Sequence, residues 1–126
     1  MVRKYAQVVG IVIILIGVVG LIAGEKPLLG LVNIEIGEDI VHLLTGGVMA
    51  AVGFGVRDIN IVRTVVGVIG VIYLLVGVLG FVAPGLFGLL PAHGYSVVDN
   101  CIHLVLGILG ITVAWVVKDP ARTRAA

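Results

Sequence analysis

The chain has 126 residues, 60% of them hydrophobic and 12% charged, with a net charge of +1 and a mean hydropathy of +1.28. About one-quarter of a soluble domain is charged, so this chain lacks the polar surface to coat a water-facing sphere and reads as an integral membrane protein. No basic stripe with interleaved aromatics is present, which argues against nucleic acid as a partner.

Arg3 and Lys4 precede the first apolar stretch, residues 5–24. This stretch exceeds the roughly 7 to 15 residues of a signal-peptide core, so it is expected to stay as a helix. A second stretch covers 39–56, a third 61–83 and a fourth 97–117. Each is near the roughly 20 residues that cross a hydrocarbon core about 30 Å thick. Runs such as IVIILIGVVGLIAG lack the alternation of a barrel strand, and lipid leaves helices as the other way to satisfy the backbone. The expectation is an all-α membrane protein with four transmembrane helices and one domain over 1–126.

Shifting the chain by about 60 residues lays its second half over its first. Arg3 meets Arg63, Gly17 and Gly20 meet Gly77 and Gly80, His42 meets His103, and Arg57-Asp58 meets Lys118-Asp119. A period this long reads as a two-helix unit in tandem, repeat 1 over about 3–58 and repeat 2 over about 63–119. Two helices per unit make the repeats parallel, with an axis along the membrane normal. The compact arrangement is a four-helix bundle with a pseudo-twofold axis. Arg3, Lys4, Arg57, Arg63, Lys118, Arg122 and Arg124 fall on one side and Lys26 on the other. Basic residues stay inside, so a multi-pass protein of the plasma (inner) membrane is expected, both termini cytoplasmic and 118–126 a cytoplasmic tail. Glu25, Glu35, Glu38, Asp39 and Asp99 gather at the outer end.

Gly10, Gly17, Gly20 and Gly24 stripe the first helix, and Gly67, Gly70, Gly77 and Gly80 stripe the third. Gly46, Gly47, Ala50, Ala51 and Gly53 in the second, with Gly107, Gly110 and Ala114 in the fourth, are further small residues. Such stripes point to close helix packing in lipid. The outer connections around 27–31 and 84–91 are apolar and are expected in the interface. Tyr5, Phe54 and Trp115 mark the cytoplasmic boundary, and Phe81, Phe87 and Tyr95 the outer one. Tyr73 falls near the midplane, where its hydroxyl needs a local partner. Cys101 stands alone and reads as a small packing residue.

One constellation has chemical potential. Glu38-Asp39-Ile40-Val41-His42 with Gly46 is matched by Asp99-Asn100-Cys101-Ile102-His103 with Gly107. An acid four residues before a histidine shares its helix face and can orient the imidazole. Ser96 with Asp99 resembles a capping box. If the second and fourth helices both line the axis, His42 and His103 approach each other across it. Three roles stand open: interhelical hydrogen bonding, axial coordination of a haem or pigment metal, and proton or small-solute handling. No HExxH, CxxCH, cysteine pair, phosphate loop or nucleophile elbow is present, so no enzyme activity and no dedicated metal motif is expected.

The paired helices, DNCIHLVLGILG and its echo EDIVHLLTGGVM resemble a family of small bacterial four-helix membrane proteins catalogued as a domain of unknown function. The resemblance spans about Val8 to Val117 and implies a fold and a membrane address without an activity. It extends to His103 with Asp99 and Gly107, and to His42 with Glu38 and Gly46. The reading that follows is a non-catalytic structural or accessory subunit, packed in the lipid bilayer with itself or with other membrane subunits. A small transporter or channel component using the His/acid pairs, and a haem- or pigment-binding subunit, are the alternatives.

Overall fold

A computed structural model describes residues 1–23, 36–82 and 97–118. Gly24, Glu25, Lys26, Glu35, the connections at 27–31 and 84–91, Phe87, Tyr95, Ser96 and the tail from 119 lie outside these residues. The described chain is helical: α1 Val2–Ala23, α2 Ile36–Gly55, α3 Ile59–Val82 and α4 Val97–Ile111, the last continuing into a π-helical turn, Thr112–Val116.

Helix starts follow the sequence chemistry. Asp58 accepts the Asn60 amide at 2.9 Å while its own carbonyl takes the Val62 amide, which makes it the N-cap of α3. The first turns of α2 and α4 carry Glu38 with Asp39, and Asp99, next to the positive end of the helix dipole. All but α4 begin a few residues before the apolar stretches do, because polar residues such as Arg3 and Asn60 are accommodated in the first turn. The fourth stretch does not finish as an α-helix. The Val117 amide bonds the Thr112 carbonyl at 2.9 Å, a widened i→i+5 turn, and Arg63 donates to the Ala114 carbonyl within it at 2.9 Å.

Val2–Ile22, Ile59–Val82 and Val97–Val116 are long and apolar enough to cross a membrane, which marks the chain as a membrane protein. Helix α2 is not among them, since Glu38, Asp39, His42, Thr45 and five glycines dilute its apolar content. Outward faces carry Ile11, Leu15, Val68, Ile72, Leu75 and Ile108, all exposed. That surface suits lipid and would be costly in water.

The helices associate mainly as two pairs, α1 with α2 and α3 with α4, with smaller contacts between the pairs. Each pair closes on glycine. A Cβ on Gly46 would stand 2.8 Å from both the Gly10 carbonyl oxygen and the Ile14 amide. In the other pair a Cβ on Gly107 would stand 2.5 Å from the Leu74 amide, and one on Gly70 would stand 2.9 Å from the Ile111 amide. The contacts recur at the same offset that relates the two halves of the sequence. Gly47 and Ala51 do not join the seam: a Cβ on Gly47 meets nothing within 4 Å, and Ala51 is exposed. Cys101 likewise lies on the exposed face of α4 and not in the packing, because residue 100 takes the inward position.

Between the pairs lies a core of Ile13, Met49, Val62, Val66, Ile69, Tyr73 and Ala114. Tyr5 is not simply a boundary aromatic, for its hydroxyl donates to the Leu106 carbonyl of α4 at 3.3 Å. Trp115 lies on Gly67, where an added Cβ would overlap the indole. Arginines close the end opposite the acids: Arg3 donates to the carbonyls of Gly53, Val56 and Arg57 at 3.1, 2.7 and 3.0 Å. Gln7 adds a bond to Gly53 at 2.9 Å.

The glycine seam yields a paired test. Gly46→Ala forces the α1 and α2 backbones apart and is expected to lower the unfolding free energy in detergent by about 1–3 kcal/mol. Gly47→Ala, one residue away in open space, is expected to leave stability unchanged or raise it slightly. Thermal unfolding of both variants checks the seam, and equal losses would contradict it.

Candidate functional site

The six polar residues singled out by the repeat divide into two sets. Asp39 lies on Gly20 and Asn100 on Gly80, so closely that a Cβ on either glycine would overlap the side chain. These two belong to the seams within the helix pairs. Glu38, His42, Asp99 and His103 face the space between the pairs, where they line a common cavity. Consecutive helix residues differ by about 100° in direction, which separates Glu38 from Asp39 and keeps His42 on the same side as Glu38.

Burial is deep for groups of this polarity. Asp39, Asp99, Asn100 and His103 each expose 4% or less, Glu38 is buried, and His42 is half-buried. Ionisable groups away from water require partners. Glu38 Oε1 stands 3.5 Å from Nε2 of His103 on α4 and 3.9 Å from Nε2 of its own-helix neighbour His42. Glu38 thus stands beside its own-helix histidine, as the acid–histidine spacing predicts, and closer still to the histidine of the other pair. Oε2 of Glu38 and Nδ1 of His42 are buried with no hydrogen-bond partner among the described residues.

Tyr73 supports both imidazoles. Its ring stacks on His42 at a centroid distance of 6.4 Å and an interplanar angle of 17°, and meets His103 at 5.7 Å. The two imidazoles lie 6.2 Å apart, so the histidines do meet between the pairs. Thr45 donates to the Val41 carbonyl at 2.8 Å, leaving its oxygen to accept the Tyr73 hydroxyl, also at 2.8 Å. This is the local partner that a midplane tyrosine requires. Thr45 was hidden in the sequence among apolar residues, and its signal was the three-residue spacing from His42, which puts both on one face.

A cavity of about 130 Å³ opens beside the cluster, walled by Ile13, Ile16, Ile102 and Leu106 and floored by Glu38, His42, Asp99 and His103. One ligand atom each from Glu38, His42 and His103 falls within 4.8 Å of the other two. The arrangement can accept and donate hydrogen bonds between helices, exchange a proton between carboxylate and imidazole, or coordinate a cation. No lysine or arginine among the described residues shares this end, since Arg3, Lys4, Arg57, Arg63 and Lys118 all belong to the other.

Tyr73→Phe keeps the ring contacts and removes one interhelical hydrogen bond, so a stability loss of about 0.5–1.5 kcal/mol is expected. Tyr73→Ala also removes the platform under both imidazoles and is expected to cost about 3–5 kcal/mol; similar losses for both variants in thermal unfolding would contradict a packing role for the ring. Comparison of the chain with protein-family models, with curated proteins and with solved structures finds no match.

Proposed function

We propose that this is a non-catalytic integral membrane protein, a structural or accessory subunit that packs with itself or within a larger membrane complex. The observation that carries this reading is where its polar side chains go: Glu38 on α2 reaches His103 on α4, and Thr45 on α2 bonds Tyr73 on α3. Polar groups that join helices in lipid act as glue. The apolar outer faces then serve lipid or a neighbouring subunit.

The same reading holds that α2 is a fourth span and that the chain is a parallel tandem duplication. At 20 residues α2 is about 30 Å long, the thickness of a hydrocarbon core. Gly10 with Gly46 and Ala50 in one pair, and Gly70 with Gly107 and Ile111 in the other, support the duplication. Five described basic residues at one end support a cytoplasmic address for both termini in the plasma membrane. Membership of the four-helix family that DNCIHLVLGILG resembles is part of the same proposal.

A second reading, a transporter or channel component, has the cavity beside Glu38 and the histidines in its favour. A haem- or pigment-binding subunit, with the group at His42 and His103, is the third reading.

The His42→Ala/His103→Ala double variant separates subunit from transporter. It is expected to lower stability by about 1–3 kcal/mol, because Glu38 loses both neighbours, and to release any subunit that co-purifies in mild detergent. Proteoliposomes of the native chain are expected to show no proton-coupled flux. An intact complex together with a flux that the double variant abolishes would establish the transporter instead.

A further inference from the structure

We infer that Glu38, His42 and His103 form a binding site for one divalent first-row transition-metal ion, of the zinc class, that bridges the two helix pairs at the acidic end of the bundle. The inference does not depend on which neighbour the chain keeps.

Donor chemistry comes first. Two imidazoles and one carboxylate suit zinc and the later first-row metals, whereas magnesium and calcium favour oxygen ligands alone. Two histidines with one glutamate, the remaining position open, is a known zinc ligand set. Geometry agrees with it. Bonds of about 2.0–2.1 Å at a tetrahedral centre put ligand atoms about 3.3 Å apart. Here Glu38 Oε1 lies 3.5 Å from one imidazole nitrogen and 3.9 Å from the other, and the three-residue set spans no more than 4.8 Å. Closing that set on an ion means drawing ligand atoms now 3.5–4.8 Å apart to about 3.3 Å.

Two further observations point to a ligand. Oε2 of Glu38 is buried without a hydrogen-bond partner among the described residues, in a medium where such a group is costly. An ion bound to the carboxylate draws charge from Oε2 and reduces that cost. The cavity of about 130 Å³ lies against the same three side chains and is large enough for a water or a small anion at the open position. Cation charge is also favoured at this end because the described lysines and arginines stand at the other. The absence of a metal motif in the sequence is no obstacle, since the third ligand comes from a separate helix 61 residues after His42.

The test uses the full chain, without a histidine tag, purified in mild detergent and stripped with a chelator. Titration with Co²⁺ is expected to give a visible d–d band that saturates at one ion per chain, is displaced by Zn²⁺ and is unaffected by excess Mg²⁺. Zn²⁺ is expected to raise the melting temperature. His103→Ala and the conservative His103→Gln are expected to weaken binding by more than about 100-fold, beyond the effect of losing an outer-shell partner. X-ray absorption of the zinc-loaded native chain needs no variant and is expected to read two imidazoles and a carboxylate. Absence of saturable Co²⁺ binding, a zinc shell of oxygen alone, or undiminished binding by a folded His42→Ala/His103→Ala chain would overturn the site. None of these outcomes bears on co-purification with another subunit, so the site and the subunit reading fail separately.

Discussion

At Gly10 and Gly46, and again at Gly70 and Gly107, two helix backbones approach until a side-chain carbon no longer fits between them. Lipid tails are as apolar as leucine, so helices in a bilayer gain little from hiding apolar surface from each other, and close contact has to hold them. That contact fixes the register of each pair. Once Gly46 sits on Gly10, the first turn of α2 falls beside Gly17 and Gly20, and Asp39 must use the space that Gly20 leaves. With Asp39 turned to α1, helix geometry directs Glu38, His42 and Thr45 toward the other pair, all within about 60° of one another. The polar cluster is thus a consequence of the seam.

Polar accounting at the two ends of α2 and α4 follows one rule. Helix N-termini leave amides without intrahelical partners and carry partial positive charge, and there the chain places Glu38, Asp39 and Asp99. Helix C-termini leave carbonyls and partial negative charge, and there Arg3 reaches Gly53, Val56 and Arg57 while Arg63 reaches Ala114. Arg3 and Arg63 are read from sequence as markers of the basic end. In the structure they also close α2 and α4, a role the charge count alone does not distinguish from solvated surface.

Features that depend on local spacing were legible in the sequence, and those that depend on the meeting of pairs were less so. Helix number and the glycine stripes were readable because periodicity and small residues act within one helix or between sequence neighbours. The grouping of His42 with His103 was readable because the repeat placed both at the same depth. That Glu38 sits closer to His103 than to His42 was not, since the i,i+4 rule describes one helix and the rotation of α2 against α4 is set by glycine contacts far along the chain. The π-helical turn at Thr112–Val116 was equally hidden, because it accompanies Trp115 lying on Gly67 and Arg63 reaching Ala114.

The two pairs differ most where they face each other, and the difference gives the site a direction. Position 13 in α1 corresponds to position 73 in α3, and position 45 in α2 corresponds to position 106 in α4. On the α2–α3 side these are Thr45 and Tyr73, whose hydroxyls bond and whose ring fills the space next to both imidazoles. On the α1–α4 side the equivalents are Ile13, which reaches less far than a tyrosine, and Leu106, neither with a side-chain hydrogen bond, and that is where the cavity of about 130 Å³ lies. One tyrosine in place of isoleucine therefore closes one flank of the histidine pair and leaves the other open. The open flank lies between α1 and α4, beside Ile16 and Ile102, while Tyr73 packs against the imidazoles on the other side.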